Sequence, residues 1–538
     1  MKRRSILFHC VLALATMVLV GALATGAWAQ TPKRGGTLVY VVPASGLPSM
    51  DGHRETTYAM IHPIAPYYSL LLRIDPTDPQ GARIEGDLAE SWTVSADKKT
   101  YTFKLHKNAK FHDGQPVTSK DVMATYNKII FPGEGVLSPR KSYFLMVDRL
   151  SAPDPYTFVV HLKFGSSAFL PAMAMPYNFI YSADQLAKDV HWYEKNVNGS
   201  GPFKLKEFVP GAKSVGVRNE NYFKPGLPYL DGFEAIFASK QAAQVAAIRG
   251  GQAMGLFRGF PPKIRDDMVR AMGDQARVQE SAWNCSLLVV PNSHRKPFDD
   301  ARVRRALNLA VDRWGGSKYL SQTAIVKTVG GYVFPHDDLA MSEAELKKLE
   351  GYWPDLKASR AKARQLLKEA GYPNGFKFRL HNRGVEQPYK IVGTWLIDQW
   401  RQIGLTAEQW VQPTAQFYKT LRSNPPGYDV SMDFNCQSIV NPTLDIGKFI
   451  SYDKGPANNG KYTDRELDRL YEAQMRETDV NRQKALIRQF EQRILDQGWY
   501  FVTLWWHRIV VTNKKMMGWN VTPSHYLNMQ METVWLNQ

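Results

Sequence analysis

Cysteine is scarce in this chain, which has three cysteines among 538 residues. Three are too few for a disulfide-dense scaffold or for a zinc site built from four cysteines. Glycine (39) and proline (32) together make about 13% of the chain, which is close to ordinary usage and excludes a collagen-like or low-complexity protein. A chain of this length can bury a large core and divides into about three structural units.

Catalytic signatures are also missing from the sequence. It contains no His-Glu-x-x-His zinc motif, no Gly-x-Ser-x-Gly nucleophile turn, no phosphate-binding Walker loop and no strand-following Gly-x-Gly-x-x-Gly. The 12 histidines are scattered along the chain. We therefore predict no catalytic residues, no metal site and no cofactor. A ligand-binding role ranks above an exported enzyme such as a hydrolase, because no pair of nucleophile and base can be assigned.

Acidic residues (50) are outnumbered by lysine and arginine (68), which gives a formal net charge of +18. A net positive charge is typical of proteins that bind nucleic acid, anionic lipid or acidic ligands. The basic residues are interspersed with acidic ones, as at residues 295–302, and there is no zinc-finger spacing or basic arm. We therefore expect a solvated basic surface and no nucleic-acid partner.

The N-terminus carries the one long apolar run of the sequence. A basic segment at residues 2–4 precedes an apolar stretch at 6–24, and Ala27 and Ala29 supply the small residues of a signal-peptidase site. A transmembrane anchor is the alternative, but the polar residues that follow favour cleavage after Ala29. The two arginines of the basic segment also fit a twin-arginine signal, so the export route stays open.

Strand and helix signals are mixed along the chain, which indicates an α/β protein without internal repeats. Short apolar or alternating runs predict strands at residues 36–42, 100–105 and 157–162. Helix starts are marked by capping residues at three positions: Thr118 with Asp121, Asp299 or Asp300, and Thr463 with Glu466. Most of these elements are scaffold and carry no chemistry.

Several segments of the chain closely resemble the bacterial extracellular solute-binding proteins of the oligopeptide, dipeptide and nickel type (family 5). The most specific block comprises LAESW at 88–92, DKKTYTFKL at 97–105 and KFHDGQPVTSKDV at 110–122. Further similar segments are GSGPF at 199–203, RNENYF at 218–223, KPFDD through AVDR at 296–313 and LLKEAGY at 366–372. These segments follow the family's order across nearly the whole mature chain, so together they are highly specific.

The resemblance implies a two-lobed α/β fold, the type II periplasmic-binding-protein fold of the large peptide-binding class, with an extra domain inserted in the first lobe. It also implies a function: a periplasmic protein encloses a small-molecule ligand between lobes that close by hinge motion. The ligand then passes to an inner-membrane ABC permease with its ATPase subunits. We expect a monomer, and a chemoreceptor or chaperone role stays open beside import.

This fold predicts where the chain passes between lobes, near residues 275–285 and again near 500–508. The first lobe is predicted to be discontinuous, with an N-terminal segment at 30–73 and a second segment at 198–278 on either side of the inserted domain at 74–197. The remaining regions are the signal peptide at 1–29, the second lobe at 279–505 and the C-terminal return to the first lobe at 506–538.

Cys285 and Cys436 both fall in the predicted second lobe. Two thiols in an oxidising periplasm can pair, and closing a loop of about 150 residues stabilises by roughly 5 kcal/mol at most in the chain-entropy model. The alternative is two buried free thiols. Neither cysteine has a neighbouring cation or histidine in sequence that would make it catalytic.

Ligand specificity is predicted to lie in residues 435–442 of the second lobe. Peptide-binding members of the family resemble Trp-x-x-Asp-x-x-(Asp/Glu)-Pro here, and their first Asp meets the peptide ammonium. Aligned on Pro442, this chain has Asn435 for the Trp and Ser438 for the Asp. A buried ammonium without a counter-charge is costly, so Asn435, Gln437 and Ser438 favour a neutral or anionic solute over an ordinary peptide. Asp433 would replace the missing acid only if the loop shifted.

The other predicted ligand-binding residues lie at strand ends and lobe crossings. Trp283 and Asn284 are assigned to the first crossing strand, and Trp505 and His507, which share one strand face, to the return crossing. Arg383 follows a second-lobe strand, where it would clamp a carboxylate or phosphate, and Tyr58 lies in a first-lobe loop. Each also has an ordinary structural interpretation as core, hinge or solvated surface.

Overall fold

The computed structural model describes residues 31–538. The predicted signal peptide, 1–29, and its cleavage site after Ala29 lie outside the described residues. Within the described part, none of the helices is both long and apolar enough to traverse a lipid bilayer. Residues Arg34–Gln538 form one compact unit.

Strands and helices are mixed along this unit, as an α/β chain requires. The strands are β1 Thr37–Val42, β2 Leu72–Ile74, β3 Ile84–Gly86, β4 Ala89–Val94, β5 Thr100–Leu105, β6 Val147–Asp154, β7 Thr157–Leu162, β8 Phe203–Val209, β9 Lys213–Arg218, β10 Gly232–Phe237, β11 Ala276–Pro291, β12 Val326–Thr328, β13 Lys377–Arg383, β14 Thr406–Gln412, β15 Val430–Cys436, β16 Phe501–Asn513, β17 Met516–Met517 and β18 Trp535–Leu536. The helices are α1 Tyr58–Ile64, α2 Ser119–Ile130, α3 Phe169–Met173, α4 Ala183–Lys188, α5 Gln241–Arg249, α6 Pro262–Met272, α7 Ala301–Leu309, α8 Arg313–Thr323, α9 Glu343–Leu346, α10 Leu356–Glu369, α11 Ile391–Arg401, α12 Thr414–Leu421, α13 Pro442–Ile446, α14 Arg465–Arg476 and α15 Val480–Gln497.

Capping residues set the starts of the helices largely as the sequence predicts. Thr118 forms the expected capping box, because its backbone N–H donates to the Asp121 carboxylate at 2.7 Å. Asp300 caps α7 by accepting from the N–H of Arg302 at 2.8 Å. The prediction for α14 is wrong by one residue: Asp464, not Thr463, is the N-cap, because its extended backbone lets the carboxylate reach the free N–H groups of the first turn.

Three sheets organise the fold. A four-stranded sheet in the order β1-β10-β9-β8 joins the N-terminal strand to strands from the middle of the chain, with β1 parallel to β10. A second four-stranded sheet, β4-β5-β7-β6, is built entirely from residues of the predicted inserted domain. A six-stranded sheet in the order β12-β16-β11-β15-β13-β14 forms the framework of the C-terminal half.

Two long strands connect the first sheet region to the six-stranded sheet. β11 and β16 pair antiparallel from Ala276 opposite Asn513 to Val289 opposite Phe501, with irregular register between Ala282 and Leu288. The far end of β16 packs in apolar cores together with β1, whereas Phe501 packs in the core of the six-stranded sheet. The two strands therefore run from one apolar core to the other, and they contain most of the segments 275–285 and 500–508 that are predicted to cross between lobes.

Candidate functional site

A cavity of about 60 Å³ that opens to solvent lies between the predicted inserted domain and the predicted second lobe. Its walls come from three regions of the chain: Thr56 near the start of α1; Leu137, Pro139, Arg140, Tyr143, Met175 and Tyr177 of the predicted inserted domain; and Tyr418, Arg422, Asp433–Ser438, Lys448, Pro456, Ala457 and Asn459 of the second lobe. We call it the interlobe cavity.

The segment expected to set specificity lines the interlobe cavity. Asn435 is the last residue but one of strand β15 and donates from Nδ2 to the backbone oxygen of Asp445 at 2.6 Å. Gln437 donates from Nε2 to the hydroxyl of Tyr143 at 2.8 Å and to Oδ1 of Asn435 at 3.1 Å. Ser438 is also buried in this wall. These three polar side chains are brought together because the strand ends where the second lobe meets the first.

A disulfide holds this wall of the interlobe cavity to the neighbouring strand. Cys285 of β11 lies directly opposite Cys436 of β15, and their sulfurs are bonded. The backbone N–H of Gln437 then donates to the carbonyl of Asn284 at 3.0 Å. The bridge therefore fixes the strand end from which the polar wall projects.

Arg383, Tyr58 and Trp283 lie behind the interlobe cavity and do not line it. Arg383 is fully buried, and its nitrogens donate to the hydroxyls of Thr414, Tyr418 and Thr57 at 3.1 to 3.5 Å. Tyr58 is the first residue of helix α1 and not part of a loop as predicted, because Thr57 caps the helix directly before it, and the Tyr58 hydroxyl donates to the carbonyl of Pro43 at 3.0 Å. Trp283 is buried and donates from Nε1 to Nδ1 of His525 at 2.8 Å.

Asn284, Trp505 and His507 likewise do not line the interlobe cavity. Asn284 donates to the carbonyl of Ile439 at 3.3 Å. Trp505 lies in the second-lobe core, where its indole N–H donates to the carbonyl of Gly331 at 3.0 Å. The His507 ring lies 3.1 Å from the carboxylate of Glu280, and burial lowers its pKa. The polar groups of these three side chains lie within hydrogen-bond distance of other groups of the protein. This arrangement is the structural role in core or hinge packing that the sequence left open as the alternative to ligand binding.

Arg140 lines the interlobe cavity and has no acidic ion-pair partner in the described part of the chain. It is 3% exposed, and its guanidinium donates to the backbone carbonyls of Glu55 and Gly52. Its Nε atom is buried and has no hydrogen-bond partner among the described residues. Burial lowers the pKa of Arg140, partly offset by the surrounding tyrosines and Asp51. A buried guanidinium of this kind favours an anionic ligand group.

Asp433 lines the interlobe cavity from within β15, without any shift of the loop, but its carboxylate is already engaged. Lys448 Nζ lies 3.0 Å from Oδ2, and Asn459 donates to the same oxygen at 3.0 Å. The other oxygen accepts from the N–H of Phe434 at 2.8 Å. Asp433 is 1% exposed, so its charge is neutralised inside the protein and offers little to a ligand ammonium.

Two further cations add positive charge at the same side of the interlobe cavity. Arg422 lies 3.2 Å from the Glu55 carboxylate across the lobe interface. Lys461 is buried, and desolvation together with the charges of Arg422 and Lys448 lowers its pKa to about 8. Burial also raises the pKa of Tyr143 to about 12. The phenol is therefore neutral and able to donate a proton to an acceptor.

Sequence reasoning missed Arg140, Tyr143, Tyr177, Arg422 and Lys448. They come from segments up to 308 residues apart, and each lies in a stretch that has the composition of an ordinary loop or helix surface. The family motif at residues 435–442 was the one signal in the sequence that predicted cavity residues, and it covers one wall. In the described part of the chain, no group of three or more His, Cys, Asp or Glu side chains is arranged to hold a metal ion.

The family to which the chain belongs follows from comparison with known proteins. The profile of the bacterial extracellular solute-binding proteins, family 5 Middle, matches residues 83–438. This chain is a member of that family. Family 5 members are the non-catalytic, solute-binding components of ABC transporters, which bind small ligands and deliver them to a permease. The predicted family, fold class and solute-binding role are therefore confirmed.

Individual members of family 5 cover most of this chain. The glutathione-binding protein GsiB of Pectobacterium atrosepticum is 27% identical over 461 residues, which are 81% of this chain and 83% of that protein. The periplasmic binding protein DppA from Helicobacter pylori, in complex with the peptide STSA, superposes with a TM-score of 0.81 at 22% identity. The binding protein AgaA from A. tumefaciens R10, in complex with agropinic acid, gives the same TM-score and identity. Both structures cover 94% of this chain and 99% of their own, and at this identity they establish the fold alone.

Proposed function

We propose that this chain captures a carboxylate-bearing organic solute in the interlobe cavity and delivers it to an inner-membrane ABC permease with its ATPase subunits. In this proposal the chain is exported, loses its signal peptide after Ala29 and works as a periplasmic monomer. The observation that carries the proposal is Arg140, a buried guanidinium on the cavity wall with an unpartnered Nε and no carboxylate partner in the described chain.

The charge balance of the cavity walls supports an anionic ligand. Arg140, Arg422 and Lys448 line the interlobe cavity, whereas Asp433 is its one lining acid among the described residues. Asp433 and Lys448 neutralise each other. Arg422 is paired with Glu55, so the guanidinium of Arg140 remains to meet the ligand. A charge-assisted hydrogen bond to carboxylate is about twice as strong as a neutral one.

The relatives are compatible with this class of solute. Glutathione and agropinic acid, which the relatives' names give as their ligands, both carry carboxylates. Import of ordinary peptides is the second candidate, supported by the peptide in the Helicobacter pylori neighbour and by the presence of Asp433 on the cavity wall. It requires Lys448 to release Asp433 to the peptide ammonium, at the expense of an unpaired buried lysine.

A thermal-shift screen of denatured and refolded protein, free of carried-over solute, tests the proposal. The library holds opines, glutathione, aromatic acids, oligosaccharides, nickel chelates and di- to pentapeptides. A ligand at 100 times its Kd stabilises the folded state by about 2.7 kcal/mol, which raises the Tm by at least about 2 °C in a chain of this size.

Two variants test whether Arg140 is the residue that binds the carboxylate of the solute. We expect Arg140→Gln to abolish the shift given by carboxylate-bearing solutes. Arg149→Gln is the matched control, because Arg149 lies in the same predicted domain with a side chain that is 66% exposed. The proposal fails if peptide amides, which lack a carboxylate, stabilise the wild type and Arg140→Gln equally.

A further inference from the structure

Three arginines are buried between the lobes behind the interlobe cavity. Arg258, Arg383 and Arg508 are each at most 1% exposed. None of them forms an ion pair with an acidic side chain of the described chain; their partners are backbone carbonyls, hydroxyls and aromatic rings. Buried like charges without counter-ions are costly, because desolvation is not offset by attraction. The cluster is therefore a strong attractor for an anion.

Arg508 and Arg383 use their donors within the protein. Arg508 donates to four backbone carbonyls, those of Arg258, Phe257, Thr522 and Ser524. Arg383 donates to three hydroxyls. Neither guanidinium has a free side that would hold a ligand in this conformation, so both contribute charge rather than contacts.

Arg258 differs from the other two in its hydrogen bonding. Its Nη1 donates to the carbonyl of Gln387, but Nε and Nη2 are buried and have no partner among the described residues. The rings of Tyr58 and Trp506 lie 4.5 and 4.8 Å from the centre of the guanidinium. These rings stabilise the cation but supply no hydrogen-bond acceptor for the two nitrogens. Leaving such donors unsatisfied is costly, because the loss of their hydration is not repaid by a hydrogen bond.

A second cavity, of about 10 Å³, is lined by Arg258 and has room for a single particle about the size of a water molecule. Its walls combine first-lobe residues with residues before α11: Pro43, Ser239, Gln241, Gln244, Arg258 and Gly259 with Val385, Glu386 and Gln387. It shares no lining residue with the interlobe cavity and has less than half its volume. Gln241 has a buried Oε1 without a partner, and rotation of this amide would present its NH₂ group instead.

We propose that this second cavity binds a small monovalent anion of chloride size, held by Nε and Nη2 of Arg258. The anion would satisfy both nitrogens and offset the combined charge of the three buried arginines. Glu386 lines the same cavity but is exposed and forms no ion pair with Arg258. Because both lobes line the site, anion binding favours the arrangement in which the lobes meet.

Halide titration of the refolded chain tests this site independently of the solute. Trp283 and Trp506 lie within 6.0 Å of the guanidinium centre, so bromide bound at Arg258 quenches their fluorescence. We expect a saturable fraction of quenching in addition to the linear collisional fraction. Chloride at ten times its Kd, compared with gluconate at equal ionic strength, should raise the Tm by about 1 °C.

Variants at three positions separate the anion site from general salt effects. Arg258→Gln removes the cation and should leave only linear quenching and a Tm that depends on ionic strength. Glu386→Gln removes the competing carboxylate and should lower the halide Kd. Arg304→Lys is the matched control, because Arg304 also stacks on a tryptophan, at 4.5 Å from Trp499, with its donors bound to carbonyls.

The proposal is overturned if bromide quenching of the wild type is linear, which is the result if a water molecule satisfies Arg258. It is also overturned if quenching saturates equally in Arg258→Gln. Should Arg258→Gln fail to fold, the Kd change in Glu386→Gln decides: an unchanged or raised Kd contradicts the site.

Discussion

The side-chain amide of Gln437 donates a hydrogen bond of 2.8 Å to the hydroxyl of Tyr143. The two residues are 294 positions apart, on opposite walls of the interlobe cavity. Tyr143 in turn lies close enough to Arg140 for the guanidinium charge to oppose the rise of its pKa. The bond thus links the polar wall of the second lobe to the cation that we assign to the ligand.

Replacing Tyr143 by Phe should weaken the contact between the two walls of the interlobe cavity. The change removes the acceptor of the Gln437 amide, which keeps only its bond to Asn435. We expect a loss of about 1 kcal/mol of unfolding free energy and weaker solute binding, measured by thermal unfolding with and without ligand. Tyr156→Phe is the control, because Tyr156 is half-buried at the edge of the inserted sheet. Equal effects of the two changes would contradict this role for Tyr143.

A double-mutant cycle should show that Asp433 and Lys448 are partners. Asp433→Asn alone leaves a buried lysine unpaired and should cost about 3–5 kcal/mol of unfolding free energy. Lys448→Met alone leaves a buried carboxylate, at similar cost. The double variant removes both charges and should recover most of the loss. Additive losses in denaturant unfolding would mean that the two groups do not interact.

Reduction of the Cys285–Cys436 bond should destabilise the whole protein. The bridge closes a loop with a sequence separation of 151 residues, and the chain-entropy model gives about 5 kcal/mol as the upper value for such a loop. We expect the wild type to unfold at lower denaturant concentration with reductant present. The double Cys→Ser variant should match the reduced wild type and be insensitive to reductant. The expectation is contradicted if reductant leaves the unfolding of the wild type unchanged while thiol titration shows that the disulfide has been reduced.

The buried carboxyl of Asp445 should make stability depend on pH. Burial raises its pKa well above the usual range, and one oxygen accepts from the N–H of Phe334 at 2.9 Å. A raised folded-state pKa contributes stability that is fully present below the unfolded pKa of about 4 and is lost as pH rises through the folded pKa.

Asp445→Asn should therefore gain Tm relative to the wild type as pH increases from 4 to 8. The exposed Asp148→Asn serves as the control and should track the wild type across this range. If the difference in Tm between Asp445→Asn and the wild type were the same at every pH, the carboxyl would have the same pKa in the folded and unfolded states. That result would contradict the prediction.

Local sequence signals predicted the elements of this fold well. The run before Val42, the alternation in β5 and the capping residues Thr118 and Asp300 all mark elements within about one residue, because strand period and cap geometry are local properties. The one-residue error at Thr463 arose because Asp464 offers an equally good acceptor.

The interlobe cavity was predicted on one wall only. Asn435, Gln437 and Ser438 were found through a motif, whereas Arg140 lies in a short polar segment that resembles any exposed loop. At the return crossing, the ring that faces Trp283 is Trp506, at 5.0 Å, and not Trp505. The alternation of side chains along a strand predicts that Trp505 and Trp506 point to opposite faces. It does not predict which of the two faces packs against Trp283, because that depends on tertiary packing.

The most direct test of carboxylate recognition compares two chemically blocked sets of solutes by calorimetry on the refolded protein. One set has carboxylates and no free amine, such as N-acetyl dipeptides and aromatic acids, and the other has free amines and no carboxylate, such as peptide amides. We expect binding from the first set, lost in Arg140→Gln and kept in Arg149→Gln. If only the second set binds, Arg140 does not bind a ligand carboxylate, and Asp433 is the residue that binds the ligand ammonium.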